Sequence, residues 1–438
     1  MSRSLAISAI PQSYQDDDAS MGSDERQPYR RIKCSQRYLF TDPPSQWHVK
    51  ITFEGVFPSS DLNSTWLQRK KDFEQLCRSL NFGSLSLLND TVTEIILSYP
   101  LVEPDDTRNT INSLHISPLG DCNIFTPVVH QLQISIQEDP TRVRFPLCDN
   151  YPVPTIDLNI VKNSQELAAG VHLVHIANDT YVYKEINRPL YMPNDTEVLL
   201  QELQNLQILR DTKGIVQLSA VVTSVNPYRT LTTGQNNEDR VLQGLLLEYH
   251  SKGTLQDALV ASGAWPWIQW ALQIASSLHQ MHQHGLTHMD IKPSNIVISA
   301  NLEATLIDVS GRAYSQDWLS PEMRHLEDPP SQEFFPRVMN DIWAFGKIAL
   351  RMADASSNKS EQRLLMTLHS DCTTTPLERT SLCRIIAMLE NYIQESKGCQ
   401  LKRWLQTWAI AGYFRLFVAP ANVTPNTCCT GDLCAGTA

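Results

Sequence analysis

Alternating apolar and polar positions predict β-strands in the first third of the chain. Residues 47–53 alternate like a half-buried strand, and apolar runs of strand length recur at 94–99 and 131–136. Between them, apolar side chains at helical spacing predict a helix over residues 66–80. The pattern predicts a small α+β domain over residues 30–155, with an elaborate N-terminal extension as the alternative. No group of side chains in it indicates a chemistry, so we expect a structural or partner-binding role.

The remaining boundaries follow from composition. Residues 1–29 are polar and predict a disordered tail, and Tyr151-Pro152-Val153-Pro154 predicts a domain boundary. Residues 401–418 are apolar and aromatic, but Arg415 and the short length argue against a membrane span. We therefore expect a packing helix and a loose tail over 396–438, with an interfacial membrane or partner helix as the alternative.

Longer elements are predicted after residue 156. Residues 181–183 have a β-rich pattern that ends at Lys184, and leucines at helical spacing predict a helix over 195–209. An apolar run at 245–247 predicts a buried strand, and residues 265–284 predict a long core helix. These predicted elements lie within residues 156–395 and include both strands and helices.

Polar residues flank two short apolar runs in the second half of the chain. Asp290, Lys292 and Asn295 precede the apolar residues 296–298, and Asp308 closes a second apolar strand. Phosphoryl transfer requires a carboxylate to orient the nucleophile, a cation near the moving phosphoryl group and oxygen ligands for Mg²⁺. The two loops together offer all three kinds of group.

The pattern H-x-D-x-K-x-x-N over residues 288–295 resembles the catalytic loop of eukaryotic protein kinases, and Asp308 matches their metal-binding loop. The resemblance covers roughly residues 156–395 and implies an α+β, bilobal fold with a small β-rich N-lobe and a helical C-lobe. It implies that Asp290 accepts or orients the hydroxyl proton and that Lys292 stabilises the γ-phosphate. Asn295 and Asp308 would hold Mg²⁺. Lysine two positions after the Asp is the pattern of Ser/Thr kinases.

The resemblance also implies an ATP site. Lys184 would neutralise the α- and β-phosphates and pair with Glu202, for which Glu197 is the alternative. Only Gly170 remains of the glycine-rich phosphate loop.

The strand at 245–247 resembles the family's hinge strand. The resemblance implies that Glu248 and His250 after it face the adenine. Asp257 starts a predicted helix and could either touch the ribose or simply begin that helix.

The chain departs from the family pattern at two loops. Asp308-Val309-Ser310 replaces D-F-G, so packing beneath the Glu202 helix should be thinner. Met289 replaces the arginine that reads a phosphate on the activation segment, and methionine cannot pair with phosphate. Ser315 aligns with a hydroxyl that contacts the catalytic Asp and Lys. We therefore expect that phosphorylation of the short activation segment, residues 308–322, does not activate the chain.

The C-terminal lobe shows two more family positions. Asp341 matches the Asp that braces the catalytic loop backbone. Glu322 and Arg379 match a pair of residues that form a buried ion pair, and we expect such a pair here.

The net charge and the cysteine content restrict which partners and which cellular compartment we expect. The net charge of −11 argues against non-specific nucleic-acid binding. Ten cysteines follow no framework and no apolar leader precedes them, so we expect a cytoplasmic or nuclear protein with reduced thiols. A membrane partner is not expected, and the sequence does not indicate an oligomeric state.

These observations favour a serine/threonine kinase that uses ATP and Mg²⁺ on a protein substrate. A pseudokinase scaffold with weak or no nucleotide binding is the alternative, because the glycine loop and Val309-Ser310 depart from the family.

Overall fold

The described chain divides into two compact units. The structure, a computed structural model, describes residues 14–16, 29–58, 65–99, 119, 123–148, 152–231, 240–261 and 263–397. The first unit consists of residues 1–211, 215–251 and 308–313. The second unit consists of residues 212–214, 252–307 and 314–438.

A five-stranded sheet in the order β1-β2-β3-β4-β5 opens the first unit. Its strands are β1 Tyr14–Asp16, β2 Tyr29–Asp42, β3 Ser45–Pro58, β4 Val92–Tyr99 and β5 Gln133–Glu138. Helix α1 (Trp66–Ser79) lies in the chain between the parallel strands β3 and β4, and Thr65 caps its first turn. Phe53 and Phe73 join one buried core. The strands and helix predicted here from hydrophobic spacing are confirmed.

The disordered tail predicted over residues 1–29 is wrong for residues 14–16. These three residues form β1, which pairs antiparallel with β2 through Tyr14 opposite Gln36 and Asp16 opposite Cys34. The pairing satisfies backbone groups along the edge of β2, an interaction that polar composition does not reveal. The rest of the predicted tail, except Tyr29, lies outside the described residues.

A six-stranded sheet and one helix complete the first unit. The strands follow the order β6-β10-β11-β9-β8-β7. They are β6 Thr155–Asp157, β7 Asn163–Ala168, β8 Val171–Ile176, β9 Asp179–Glu185, β10 Leu218–Val225 and β11 Arg240–Glu248. Helix α2 (Pro193–Ile208) buries Leu199, Leu203 and Leu206, the stripe that predicted it. This is the β-rich N-lobe of a protein-kinase fold, and the domain boundaries around it stay a prediction.

The segment 143–148 joins the five-stranded sheet to the six-stranded one. Leu147 forms a β-bridge with Val241, and the Leu242 N–H donates to Pro146 O at 2.8 Å. The segment therefore pairs with the start of β11.

The same segment contacts the start of α2. The Arg144 N–H donates to Tyr191 Oη at 3.0 Å, and Thr196 Oγ1 donates to Arg144 O at 2.9 Å. The Arg144 guanidinium lies 3.7 Å from Glu197. These contacts fix the first turn of the helix that carries Glu202.

The second unit is the helical C-lobe. Its named helices are α3 Leu255–Val260, α4 Trp267–Gln283, α5 Phe334–Ala355 and α6 Lys359–Cys372, and residues 382–397 are also helical. A two-stranded sheet pairs β12 (Ile296–Ile298) with β13 (Ala304–Leu306). The long core helix predicted over 265–284 is confirmed as α4.

Among the described helices, none has the length and apolar character needed to cross a membrane. The helix predicted within residues 396–438 lies outside the described residues, apart from 396 and 397.

The expected ion pair in the C-lobe is present. Arg379 Nη1 and Nη2 donate to the two carboxylate oxygens of Glu322 at 2.5 and 3.0 Å. Arg379 Nη1 also donates to Met339 O, and its side chain is almost fully buried. Burial alone would raise the pKa of Glu322, but the hydrogen bonds and charge of Arg379 hold it below its ordinary value. The pair ties the segment around Glu322 to the end of the C-lobe.

Replacing Arg379 by Ala should lower the free energy of unfolding by about 3 kcal/mol. That is the lower end for breaking a buried ion pair, because Glu322 keeps 33% of its side chain exposed. Denaturant unfolding followed by circular dichroism measures the change. The matched control is Arg384→Ala, whose side chain is exposed and should shift stability by less than about 0.5 kcal/mol. Equal stability of the Arg379 and Arg384 variants would contradict the assignment.

Candidate functional site

Three charged side chains meet in the first unit. Lys184 lies on β9, between β8 and β11, and its Nζ donates to Glu202 Oε2 at 2.5 Å and to Asp308 Oδ1 at 2.6 Å. Glu202 is fully buried on α2. Glu197, the alternative partner, instead contacts Arg144 on the helix surface. The structure therefore selects Glu202 as the partner of Lys184.

The environment of Lys184 keeps it charged. Burial lowers the pKa of its ammonium, but the carboxylates of Asp308 and Glu202 outweigh burial and raise that pKa above its ordinary value. Burial also raises the pKa of Glu202, and the charge of Lys184 opposes this effect. The pKa of the Glu202 carboxyl group therefore stays above its ordinary value despite the charge of Lys184.

Asn205 is a positioning residue that the sequence analysis missed. One turn after Glu202 on α2, its Nδ2 donates to Val309 O at 2.7 Å and to Ser310 O at 3.1 Å. Asp308, just before, has a φ of 59°, in the left-handed region that non-glycine residues rarely adopt. The thin packing expected from Val309 is therefore supplemented by two hydrogen bonds from α2 to the backbone after Asp308.

Gly170 lies in a two-residue turn between β7 and β8. Its φ is +73°, and a Cβ at this position would lie 2.4 Å from Arg188 Cβ, so only glycine fits. Its carbonyl accepts a hydrogen bond from Glu185 N at 2.8 Å. The loop is therefore tied to β9, and its predicted contact with phosphate stays a prediction.

Glu248 ends β11, and His250 follows it by two positions. Glu248 Oε1 accepts a hydrogen bond from Gln217 N at 3.0 Å and lies 3.2 Å from His250 Nε2. Their predicted contact with adenine stays a prediction. Asp257 caps the start of α3, where its carboxylate accepts hydrogen bonds from the N–H and hydroxyl of Thr254. These hydrogen bonds lower its pKa, as in an ordinary helix start.

A second group of side chains meets in the second unit. Lys292 Nζ donates to Asp290 Oδ2 at 2.6 Å and to Ser315 Oγ at 2.8 Å. Asn295 Nδ2 donates to the backbone oxygen of Asp290 at 2.9 Å and to its Oδ2 at 3.0 Å. The expected contact of Ser315 with Lys292 is therefore present.

Asp341 fixes the backbone of the loop that carries Asp290. Its two carboxylate oxygens accept hydrogen bonds from His288 N and Met289 N, each at 2.8 Å, and one of them lies 3.0 Å from His282 Nε2. Met289 has a φ of 67°, a costly conformation for a side chain of its size. The buried carboxylate of Asp341 stabilises this strained turn next to Asp290.

One oxygen of Asp290 remains unused. Its Oδ2 accepts two hydrogen bonds, whereas its buried Oδ1 accepts none from the described residues. Leaving a buried acceptor without a donor costs about 1–3 kcal/mol. Such a group at a polar cluster fits an acceptor for a donor that the substrate brings.

Met289 belongs to a small apolar cluster. It is buried with Leu319 and Met323, which lie in the segment after Ser315. At the position where the family has an arginine that binds a phosphate, this chain has Met289, whose apolar contact needs no phosphate.

The comparisons with known proteins identify the family. Residues 169–374 match the family model described as "Protein kinase domain", and this part of the chain belongs to the eukaryotic protein kinase superfamily.

Curated relatives agree at low identity. Mitogen-activated protein kinase kinase kinase 17 of Arabidopsis thaliana is 29% identical over 163 residues, which are 34% of this chain and 41% of the relative. The Aurora kinase of Candida glabrata is 29% identical over 166 residues, 34% of this chain and 44% of the relative. The chain thus spans less than half the length of these relatives.

Two of the predicted residues offer the ligands that Mg²⁺ prefers. Asn295 uses its amide nitrogen to donate to Asp290, which leaves its amide oxygen without a donor among the described residues. Asp308 provides a carboxylate beside Lys184. Amide and carboxylate oxygens are hard ligands that suit this ion, so both residues fit the predicted role.

Proposed function

We propose that the chain is a serine/threonine protein kinase that transfers the γ-phosphoryl group of ATP to a hydroxyl of a protein substrate. The observation that carries the proposal is the buried Oδ1 of Asp290, which has no donor among the described residues. A substrate hydroxyl would supply that donor, and Oδ1 would orient it and accept its proton. Lys292, fixed between Asp290 and Ser315, would stabilise charge on the γ-phosphate.

The remaining side chains would bind the nucleotide. Lys184 is held by Glu202 and carries the positive charge that the α- and β-phosphates need. Asn295 and Asp308 would hold Mg²⁺, which neutralises phosphate charge when bound. The relatives named as mitogen-activated protein kinase kinase kinases and as an Aurora kinase support a protein as substrate.

The alternative is a pseudokinase scaffold. The two-residue turn at Gly170 favours it, because this turn offers fewer backbone N–H groups to phosphate than a glycine-rich loop. The charged residues that match the catalytic and metal-binding positions of the family favour the enzyme.

Two measurements together separate the two proposals. They are calorimetric titration with ATP, with and without Mg²⁺, and a transfer assay on a degenerate peptide mixture. The kinase proposal predicts Mg²⁺-dependent binding and transfer to serine and threonine in a degenerate peptide mixture. Binding without transfer to any peptide, or no binding at all, would favour the pseudokinase.

Treatment with phosphatase should leave the transfer rate unchanged. The apolar contact of Met289 with Leu319 and Met323 holds the segment without a phosphate. Ser315 Oγ already accepts a hydrogen bond from Lys292 Nζ, a contact that a phosphate would disrupt. The measurement compares initial rates of phosphatase-treated and untreated protein, with the phosphorylation state read by mass spectrometry.

The control for this prediction is protein treated with inactivated phosphatase. A large fall in rate that accompanies loss of a phosphate between Ser310 and Ser320 would contradict the prediction.

A further inference from the structure

A cavity of about 560 Å³ lies in the second unit, and neither Asp290 nor Lys292 lines it. Its walls include three cationic side chains, those of Arg324, Lys347 and Arg351. Asp317 and Trp318 also line it. Cations therefore outnumber carboxylates in the wall by three to one.

Lys347 on α5 is held in place by aromatic rings. Its Nζ lies 4.6 Å from the ring centroid of Trp318 and 5.0 Å from that of Trp343. It donates one hydrogen bond, to Asp317 O at 2.6 Å. An ammonium has three N–H donors, so Lys347 retains donors for a ligand.

The two arginines complete the cationic wall. The Arg324 guanidinium lies 5.2 Å from the Trp343 ring centroid, and its Nε donates to Leu319 O at 2.9 Å. Arg351 follows Lys347 by four positions on α5, so the two side chains share one face of the helix. The arrangement presents three cations from two segments to one cavity.

These charges are not balanced within the described part of the chain. None of the three forms an ion pair with a described carboxylate, and like charges four positions apart on a helix repel. Burial and the charges of Arg324 and Arg351 lower the pKa of Lys347, and Asp317 only partly opposes them. An anion in the cavity would relieve this repulsion.

The cavity adjoins the residues that would meet the substrate. Gln316, which lines it, directly follows Ser315, and Ser315 contacts Lys292. Lys292 in turn contacts Asp290. A peptide whose hydroxyl reaches Asp290 would therefore place neighbouring residues near the cations.

We propose that the pocket formed by Arg324, Lys347 and Arg351 binds an acidic side chain of the peptide substrate, close to the accepting hydroxyl. The inference rests on the proposed kinase activity and adds the substrate class to it. A guanidinium matches a carboxylate or a phosphoserine through paired hydrogen bonds, and an ammonium adds a point charge. The preferred substrates are therefore acidic around the serine or threonine.

The test uses serine peptides that carry one glutamate or phosphoserine at each position in turn, each paired with the same peptide carrying glutamine. We expect kcat/KM to favour the acidic member by about tenfold at one or more positions. In Lys347→Gln and Arg351→Gln protein, the ratio of acidic to neutral should fall towards one. Arg363→Gln, an exposed arginine on α6, removes the same charge and should keep the full ratio.

Fluorescence anisotropy of labelled peptides on Asp290→Asn protein gives a readout independent of turnover. Tighter binding of the acidic peptide, weakened by Arg351→Gln and not by Arg363→Gln, supports the pocket even if no peptide is phosphorylated; the proposed kinase activity alone would then fail. Turnover with equal rates for acidic and neutral peptides overturns the pocket and leaves the kinase activity. No acidic preference in either turnover or binding also overturns it.

Discussion

Asp290→Asn should reduce phosphoryl transfer by about 10² to 10⁴-fold, the usual contribution of a positioned acid or base. The asparagine oxygen can take the place of Oδ2 and accept the hydrogen bonds from Lys292 and Asn295. The amide nitrogen then replaces Oδ1, which has no donor among the described residues. A donor would stand where the substrate hydroxyl needs an acceptor, so orientation and proton acceptance are both lost.

The measurement for Asp290 compares initial rates on one peptide and ATP affinity by calorimetry. Asp354→Asn, an exposed position on α5, is the matched control and should keep the full rate. A variant of Asp290 that keeps more than a tenth of the rate, with a normal fold, would contradict its role.

Lys184→Met should lower the transfer rate by about 10² to 10³-fold, because one preorganised electrostatic group contributes roughly 3–4 kcal/mol to the transition state. Lys184 is fixed by Glu202 and Asp308, so its charge is in place before the phosphates arrive. The fold should survive, since burial raises the pKa of Glu202 and favours its protonation once the lysine is gone.

Lys213→Met is the matched control for this substitution. Lys213 forms an exposed ion pair with Glu303, and such pairs contribute about 0–1 kcal/mol to stability. Steady-state kinetics and thermal unfolding of both variants check the prediction. An unchanged rate in Lys184→Met protein would show that another cation meets the phosphates.

Local pattern predicted the elements and the loop chemistry well. Leucines at helical spacing predicted α2, and the spacing of Asp290, Lys292 and Asn295 predicted a polar group that the structure brings within hydrogen-bond distance. These features depend on residues close together in the chain, where spacing determines which side chains share a face or a turn.

Contacts between distant residues were harder to predict. Asn205 donates to the backbone of Val309, more than one hundred positions away, and an asparagine inside a helix has no spacing that indicates this. The choice between Glu197 and Glu202 needed the direction of each side chain on α2. The pairing of β1 with β2 depends on backbone groups, which side-chain composition does not describe.

We propose that Asp290 and the side chains around it perform phosphoryl transfer to serine or threonine. The most direct measurement is mass spectrometry of a mixed library of serine, threonine and tyrosine peptides after incubation with ATP, Mg²⁺ and the protein, with Asp290→Asn protein in parallel. We expect phosphoserine or phosphothreonine with the unaltered protein and a loss of at least about a hundredfold with the variant. Equal phosphorylation by both proteins, or none by the unaltered protein, would contradict this role of Asp290.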